Sequence, residues 1–290
     1  MNTAKASNFI AILNETETAG AIVYWRMSGS IDTARLQEEW LARGLDPALL
    51  PRKVAAPTAL HRAMCEQTNK HRIVRPLGQK AWALVEERVS ESDTATLDAA
   101  WSGEPLFRAS VGANGELDIT PSWYYAADKL RADYAVALRA MSQTDVSHWL
   151  TKLVDTVDAI GLRDTGGLYF VPRHTLDAWR LMTAAIRAAS AHTIFAVPAM
   201  KSEETVAAVV DAVTSEAEAE CEALDKALLA EKLGPRALDS QLARTNAAEA
   251  KLERYEAILG QKLEGVRARL TQARVAVTTA ILMAAPADAE

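Results

Sequence analysis

"GGLYFVPRHTLDAWRLMTAAIRAASAHTIFAVP", residues 166–198, decides how the chain folds. Its two ends carry short runs of apolar, β-branched and aromatic residues, LYFVP and TIFAVP, and such runs form strands. Between them Leu176, Trp179, Met182 and Ile186 fall on one face of a helix over 175–190. A strand, helix and strand of this length make a βαβ unit, which predicts two parallel strands and a right-handed crossover. Gly166 and Gly167 come before the first strand rather than after it. A phosphate-cradling loop leaves a strand and enters a helix N-terminus, so the pair reads instead as a helix-ending turn that needs positive φ.

Working toward the N-terminus, AGAIVYWRMSG (19–29) is a strand bounded by glycines, and Asp32 is placed to cap the helix TARLQEEWLARG. Pro47, Pro51 and Pro57 punctuate the next connection, and TALHRAMCEQ is a short helix. HRIVRPL and KAWALVEERV flank Gly78 as a hairpin, and PLFRASV and ELDITP flank GANG (112–115) in the same way. From Ser122 the pattern turns helical. Val146, Trp149, Leu150, Leu153, Val154, Val157 and Ile160 keep one apolar face, and Gly161 marks the expected end.

Beyond Ser202 the chain reads as helix up to Gly234-Pro235 and again to about Met283. Positions 238, 242, 245, 249, 252, 256, 259, 263, 266 and 270 form a coiled-coil seam with three polar interruptions, Thr245, Glu249 and Glu256. Residues 203–233 hold nine acids and two lysines, whereas 236–283 hold eight bases and five acids, so the two helices should fold back on each other. At ~1.5 Å per residue the second helix outreaches the first. Its C-terminal Val266, Leu270, Val275, Val277, Ile281 and Leu282 then need cover from the rest of the chain or from a second copy. The expected fold class is α+β: a mixed sheet with hairpins and a βαβ unit, followed by a long antiparallel helical hairpin of coiled-coil type. The expected domains are 1–200 and 201–285, with a tail at 286–290.

Apolar residues at 49% and charged residues at 24% describe a globular chain. Cys65 and Cys221 stand far apart with no CxxC, which excludes a disulfide framework and a zinc ribbon. The apolar run FIAIL (9–13) is too short for a signal peptide, and VAVTTAILMAA (275–285) is too short to span a bilayer, so a cytoplasmic protein without a membrane role is expected. No HExxH, GxSxG or Walker loop occurs, and the five histidines lack metal-ligand spacing. No cofactor, metal or catalytic residue is therefore assigned, and a non-enzyme is favoured. Cys65 reads as a small apolar residue rather than a nucleophile.

Two groups of residues remain as binding candidates. Parallel strands would bring Arg173, His174 and Lys201 together at their carboxyl ends, where open α/β sheets hold ligands, and an anionic ligand would suit them. A solvated basic rim is the simpler reading of the same three. Residues 52–80 hold seven bases against Glu66, and within them Lys70, Arg72, Arg75 and Lys80 could meet nucleic-acid phosphates. A helix followed by a basic hairpin loosely resembles a winged DNA-binding element, but TALHRAMCEQ offers few polar contact residues.

Through GGLYFVP (166–172), and less fully through HRIVRPL (71–77), the chain resembles a group of uncharacterised bacterial and phage proteins sharing a GG-apolar-YFVP segment. Leu168 stands where valine is expected. The resemblance implies a shared fold over roughly residues 20–200 and no activity. The expected function is a non-enzymatic protein-interaction or assembly role through the C-terminal hairpin, by self-association or a protein partner. The alternatives are a nucleic-acid-associated accessory protein of phage or mobile-element type, and an enzyme or sensor of an anionic ligand.

Overall fold

The computed structural model describes residues 18–86, 105–121, 125–163, 165–230 and 233–284. The FIAIL run, the end of KAWALVEERV, Ser122 and the 286–290 tail lie outside them. The chain divides into two compact units. Among the described residues, one runs from 18 to 26 with those of 148–184 and 192–284, and the other takes those of 27–147 and 185–191. The boundary expected near residue 200 thus falls inside a unit, because strands before it and helices after it share one core.

The chain enters the structure at β1 (Thr18–Arg26) and then passes into the second unit. After β2 (Ile31–Asp32), Asp32 caps α1 (Thr33–Ala42), accepting the N–H groups of Ala34 and Arg35 at 2.9 and 3.2 Å. Trp40 is fully buried and gives its indole N–H to the Asp46 carbonyl at 2.8 Å. Helix α2 (Ala56–Cys65) leads into β3 (Arg72–Gly78), β4 (Ala81–Glu86), β5 (Phe107–Val111) and β6 (Leu117–Thr120). These strands pair antiparallel in chain order, as the two turn signals predict. The core between this sheet and α2 and α3 (Ala127–Arg139) holds Leu60, Met64, Leu84, Phe107, Ile119 and Leu130. The helical run expected to continue to Gly161 is interrupted. Strand β7 (Ala140–Met141) leaves to pair with β2, and α4 (Gln143–Thr156) stops early. Asp158, with φ 54°, makes the turn there, and Gly161 belongs to β8 (Ile160–Gly161).

The residues 166–198 form β9 (Tyr169–Pro172), a short 3-10 turn at Arg173–Thr175, α5 (Leu176–Ala189) and β10 (Thr193–Met200), all in the first unit apart from 185–191. Both strands pair antiparallel with β1 and so run parallel to each other, as strand-helix-strand order predicts. They are not neighbours. Strand β1 lies between them, the sheet order is β10-β1-β9-β8, and every pairing is antiparallel rather than mixed. At Gly20 a Cβ would stand 2.2 Å from the Val171 carbonyl oxygen, so only glycine lets β1 and β9 meet. Gly166, with φ +92°, lies in the connection between β8 and β9, where Leu162 donates its N–H to the Leu168 carbonyl. It is a hairpin glycine, not a helix end.

The C-terminal region is α6 (Glu203–Leu229), α7 (Pro235–Leu259) and α8 (Glu264–Ala284). The single long second helix expected from the seam is broken at Gly260, which takes the left-handed conformation at φ 71°. The excess length therefore turns back as α8. Glu249–Arg274 and Glu256–Arg267 pairs show α7 and α8 running antiparallel. The charge complementarity expected between the helices is present: Glu216 of α6 meets Lys251 of α7 at 2.6 Å, and Asp225 meets Arg269 of α8. All three helices share a core with the sheet, joining Ile160, Phe170 and Ala199 to Val213, Cys221, Leu252, Tyr255, Leu270 and Val277.

Candidate functional site

Of the six C-terminal apolar residues expected to need cover, Val266, Leu270 and Val277 are buried against α6 and α7, and Ile281 packs partly. Val275 and Leu282 point the other way and remain 58% and 72% exposed, with Met283 beside them at 81%. The spacing explains this. Residues 266, 270, 273 and 277 follow the inward stripe, while 275 and 282 sit seven apart on the outward one. From Val275 to Ala284 the helix carries no charged residue.

The corner expected from Arg173, His174 and Lys201 is only partly assembled. Register places Arg173 and Lys201 at the same end of the sheet, on either side of β1, since Pro172 stands opposite Gly20 and Met200 opposite Thr18. His174 turns away, its Nε2 lying 3.3 Å from the Asp158 carboxylate. Arg180, which the sequence reading passed over, joins Arg173 instead: both line a cleft of about 330 Å³ with Asp177 and the sheet residues Ala21 and Pro198. Their i, i+7 spacing across the start of α5 was the available signal.

Asp158 anchors a second cluster that was not legible in advance. Its carboxylate takes Arg254 at 2.7 Å as well as His174, and its backbone carbonyl accepts the Tyr255 hydroxyl at 2.6 Å. Lys251 donates to the next carbonyl, Ala159, at 2.8 Å. Burial alone would raise the Asp158 pKa, but hydrogen bonds from Arg254 and His174 bring it below the usual range. The buried Tyr255 hydroxyl is pushed strongly up, by burial first and then by Glu216 and Asp158. Three side chains of α7 thus clasp the left-handed turn after α4. A groove of about 320 Å³ opens beside the clasp over Val213, Ala217 and Leu252. Its cations are already paired, Lys251 with Glu216, Arg244 with Glu220 and Arg254 with Asp158.

In the hairpin unit the basic residues do not form one surface. Arg72 pairs across to Glu86 and gives Nη1 to the Tyr125 hydroxyl at 3.0 Å, whereas Arg75, an odd number of residues along the strand, points to the opposite face. Lys70 and Lys80 are exposed in the turns on either side of β3. The residue that does join Arg75 is Arg108: Arg75, Ala83, Arg108 and Thr120 stand opposite one another across β3 to β6. Cys65 lies 3.7 Å from the His61 Nε2, but burial and then Glu66 push its thiol up, so it is not an activated thiolate. Among the described residues no group of three or more His, Cys, Asp and Glu is placed to hold a metal ion, and no helix is long and apolar enough to cross a membrane.

A family model matches residues 19–288, nearly the whole described structure. The chain belongs to a family of unknown function, DUF6744. The matched stretch runs from β1 through the three C-terminal helices, so it includes the bundle as well as the sheet. No curated protein and no solved structure matches the chain.

Proposed function

We propose that this chain is a non-enzymatic assembly protein that associates with a second copy of itself through the outward face of α8. The observation that carries the reading is the charge-free end of that helix, with Val275, Leu282 and Met283 exposed. An exposed apolar stripe of this kind gains by leaving water. Because no charge lies within it, two copies can pack across a two-fold axis without burying an unpaired ion. The helix offers the partner the same stripe it seeks, as in a coiled-coil seam. The cytoplasmic setting and the bacterial or phage origin expected from the sequence go with this reading.

Sedimentation velocity over a range of concentrations tests it. The parent chain should sediment as a dimer, and Val275→Glu with Leu282→Glu should give a monomer that keeps its far-ultraviolet circular dichroism. A parent that stays monomeric at the highest concentration, or a dimer indifferent to both substitutions, would remove the reading. The cross-strand row of Arg75 and Arg108 supports a second reading, a nucleic-acid-associated accessory role. Nucleic acid that co-purifies with the parent and is lost on reversing both charges would favour it over self-assembly.

A further inference from the structure

The sequence reads Arg173, His174 and Lys201 most simply as a solvated basic rim, and the structure sets Arg173 with Arg180 in a cleft at the start of α5. Its surroundings in the fold argue otherwise. The floor is the face of the sheet turned away from α6–α8: Ala21 of β1 stands opposite Pro198 of β10, and Ile22, the next residue, packs on the bundle side. These side chains are small and uncharged, which leaves a recess of about 330 Å³, within the range of sites that hold small molecules. The wall is one face of the chain entering α5, with Arg173, Asp177 and Arg180 spaced four and three residues apart.

Charge in the recess is unbalanced. Arg180 pairs with Asp177 at 3.0 Å, but both side chains are more than half exposed, and such a pair holds its partner weakly. No carboxylate among the described residues pairs with Arg173. Lys201 follows Met200 at the same end of the sheet but does not line the recess. Two lining arginines thus face one exposed acid. In the Asp158 groove, by contrast, every lining cation is matched by an acid within 4.0 Å. An arginine fork binds a planar or tetrahedral oxyanion through two parallel hydrogen bonds. We propose that this cleft binds a small molecule with a compact dianionic oxygen head group, held between the Arg173 and Arg180 guanidiniums. The flat apolar floor would take the uncharged part of the ligand.

The test uses the whole chain, with sodium chloride holding ionic strength constant, and three probes: inorganic phosphate, pyrophosphate and citrate. Each is titrated by calorimetry and by thermal melting, since a ligand that binds only the folded state raises Tm. Binding by at least one probe is expected, with about a tenfold loss of affinity in Arg173→Ala and in Arg180→Ala, and no loss in Arg244→Ala on α7. Pyrophosphate binding more tightly than citrate assigns a phosphorylated ligand, and the reverse order assigns a polycarboxylate. Arg173→Lys and Arg180→Lys guard against a folding artefact, because they keep the charge and lose only the fork; they should bind between the parent and the alanine variants. Absence of binding by all three probes, or binding that survives the Arg173→Ala, Arg180→Ala double substitution, overturns the proposal.

Discussion

The main sheets of the two units are built on opposite plans. In the hairpin unit, β3 to β6 pair in chain order, each strand against the next, and short turns close the β3–β4 and β5–β6 hairpins. In the other unit, β1 pairs with β9 and β10, more than a hundred residues away, and the helices that complete its core come later still. Local pairing is specified by turn chemistry within a few residues, whereas distant pairing is specified by which apolar faces fit each other once the chain has collapsed. The unit built on β1, β9 and β10 should therefore respond as one body to damage at its far end, and the β3–β6 sheet and the helix α1 of the other unit should respond locally.

The largest expected effect follows from that difference. Leu270 is 1% exposed in α8, in the same core as Phe170 and Ala199 of the sheet. Leu270→Ala should cost about 3 kcal/mol through the cavity it leaves. Hydrogen exchange should then quicken together in α8, α7 and β1, although β1 is 244 residues before the substituted position when counted from Arg26. Faster exchange confined to α8 would show that the bundle and sheet are separately stable, and the contrast between the units would fail.

A middle-sized effect belongs to Glu256. It is buried in the last turn of α7, where one carboxylate oxygen accepts the Leu263 N–H at 2.8 Å and the other meets Arg267 at 2.5 Å and Lys262 at 3.1 Å. Burial would raise its pKa, but the Arg267, Leu263 and Lys262 hydrogen bonds prevail and hold it at about 2, against an ordinary 4.5. A depressed folded-state value means that the carboxylate stabilises the fold above about pH 4.5 and loses that contribution as the pH falls toward 2. The full contribution is ~3 kcal/mol on these values. Urea denaturation of the parent should weaken across this window. Glu256→Gln should be about 2 kcal/mol less stable at neutral pH and show a shallower acid loss. Equal acid slopes in the two proteins would remove Glu256 as the clamp of the returning helix.

The smallest effect sharpens the other side of the comparison. Asp32→Ala removes the cap of α1 and should cost about 1 kcal/mol. The urea midpoint should fall with an unchanged m-value. Loss of protection in β1 or α8 as large as in α1 would mean that the hairpin unit does not confine its damage.

The sequence by itself determined the elements whose cause is local. The Asp32 cap, the hairpins at Gly78 and Asn114-Gly115, the two strands bracketing α5 and the helix stop before Pro235 all rest on residues within a few positions of the feature. It also fixed the direction of β9 and β10 and the charge match between α6 and the helices after it. The candidate site was legible only in part: Arg173 and Lys201 follow from strand direction, but Arg180 became relevant only when α5 was laid beside small residues of β1 and β10. Only the tertiary structure decided that β1 separates the parallel pair, because strand order depends on pairing with a segment more than a hundred residues distant. It likewise decided the break at Gly260. The seam spacing runs through that glycine without a gap, and Leu263, Val266 and Leu270 keep their inward places on either reading. What turned the chain back was the left-handed glycine together with Glu256, an apparent flaw in the seam whose carboxylate gathers the unpaired N–H and two cations of the next helix start. A periodic pattern records which residues go inward, and the partners of a buried charge appear only once the chain has folded around it.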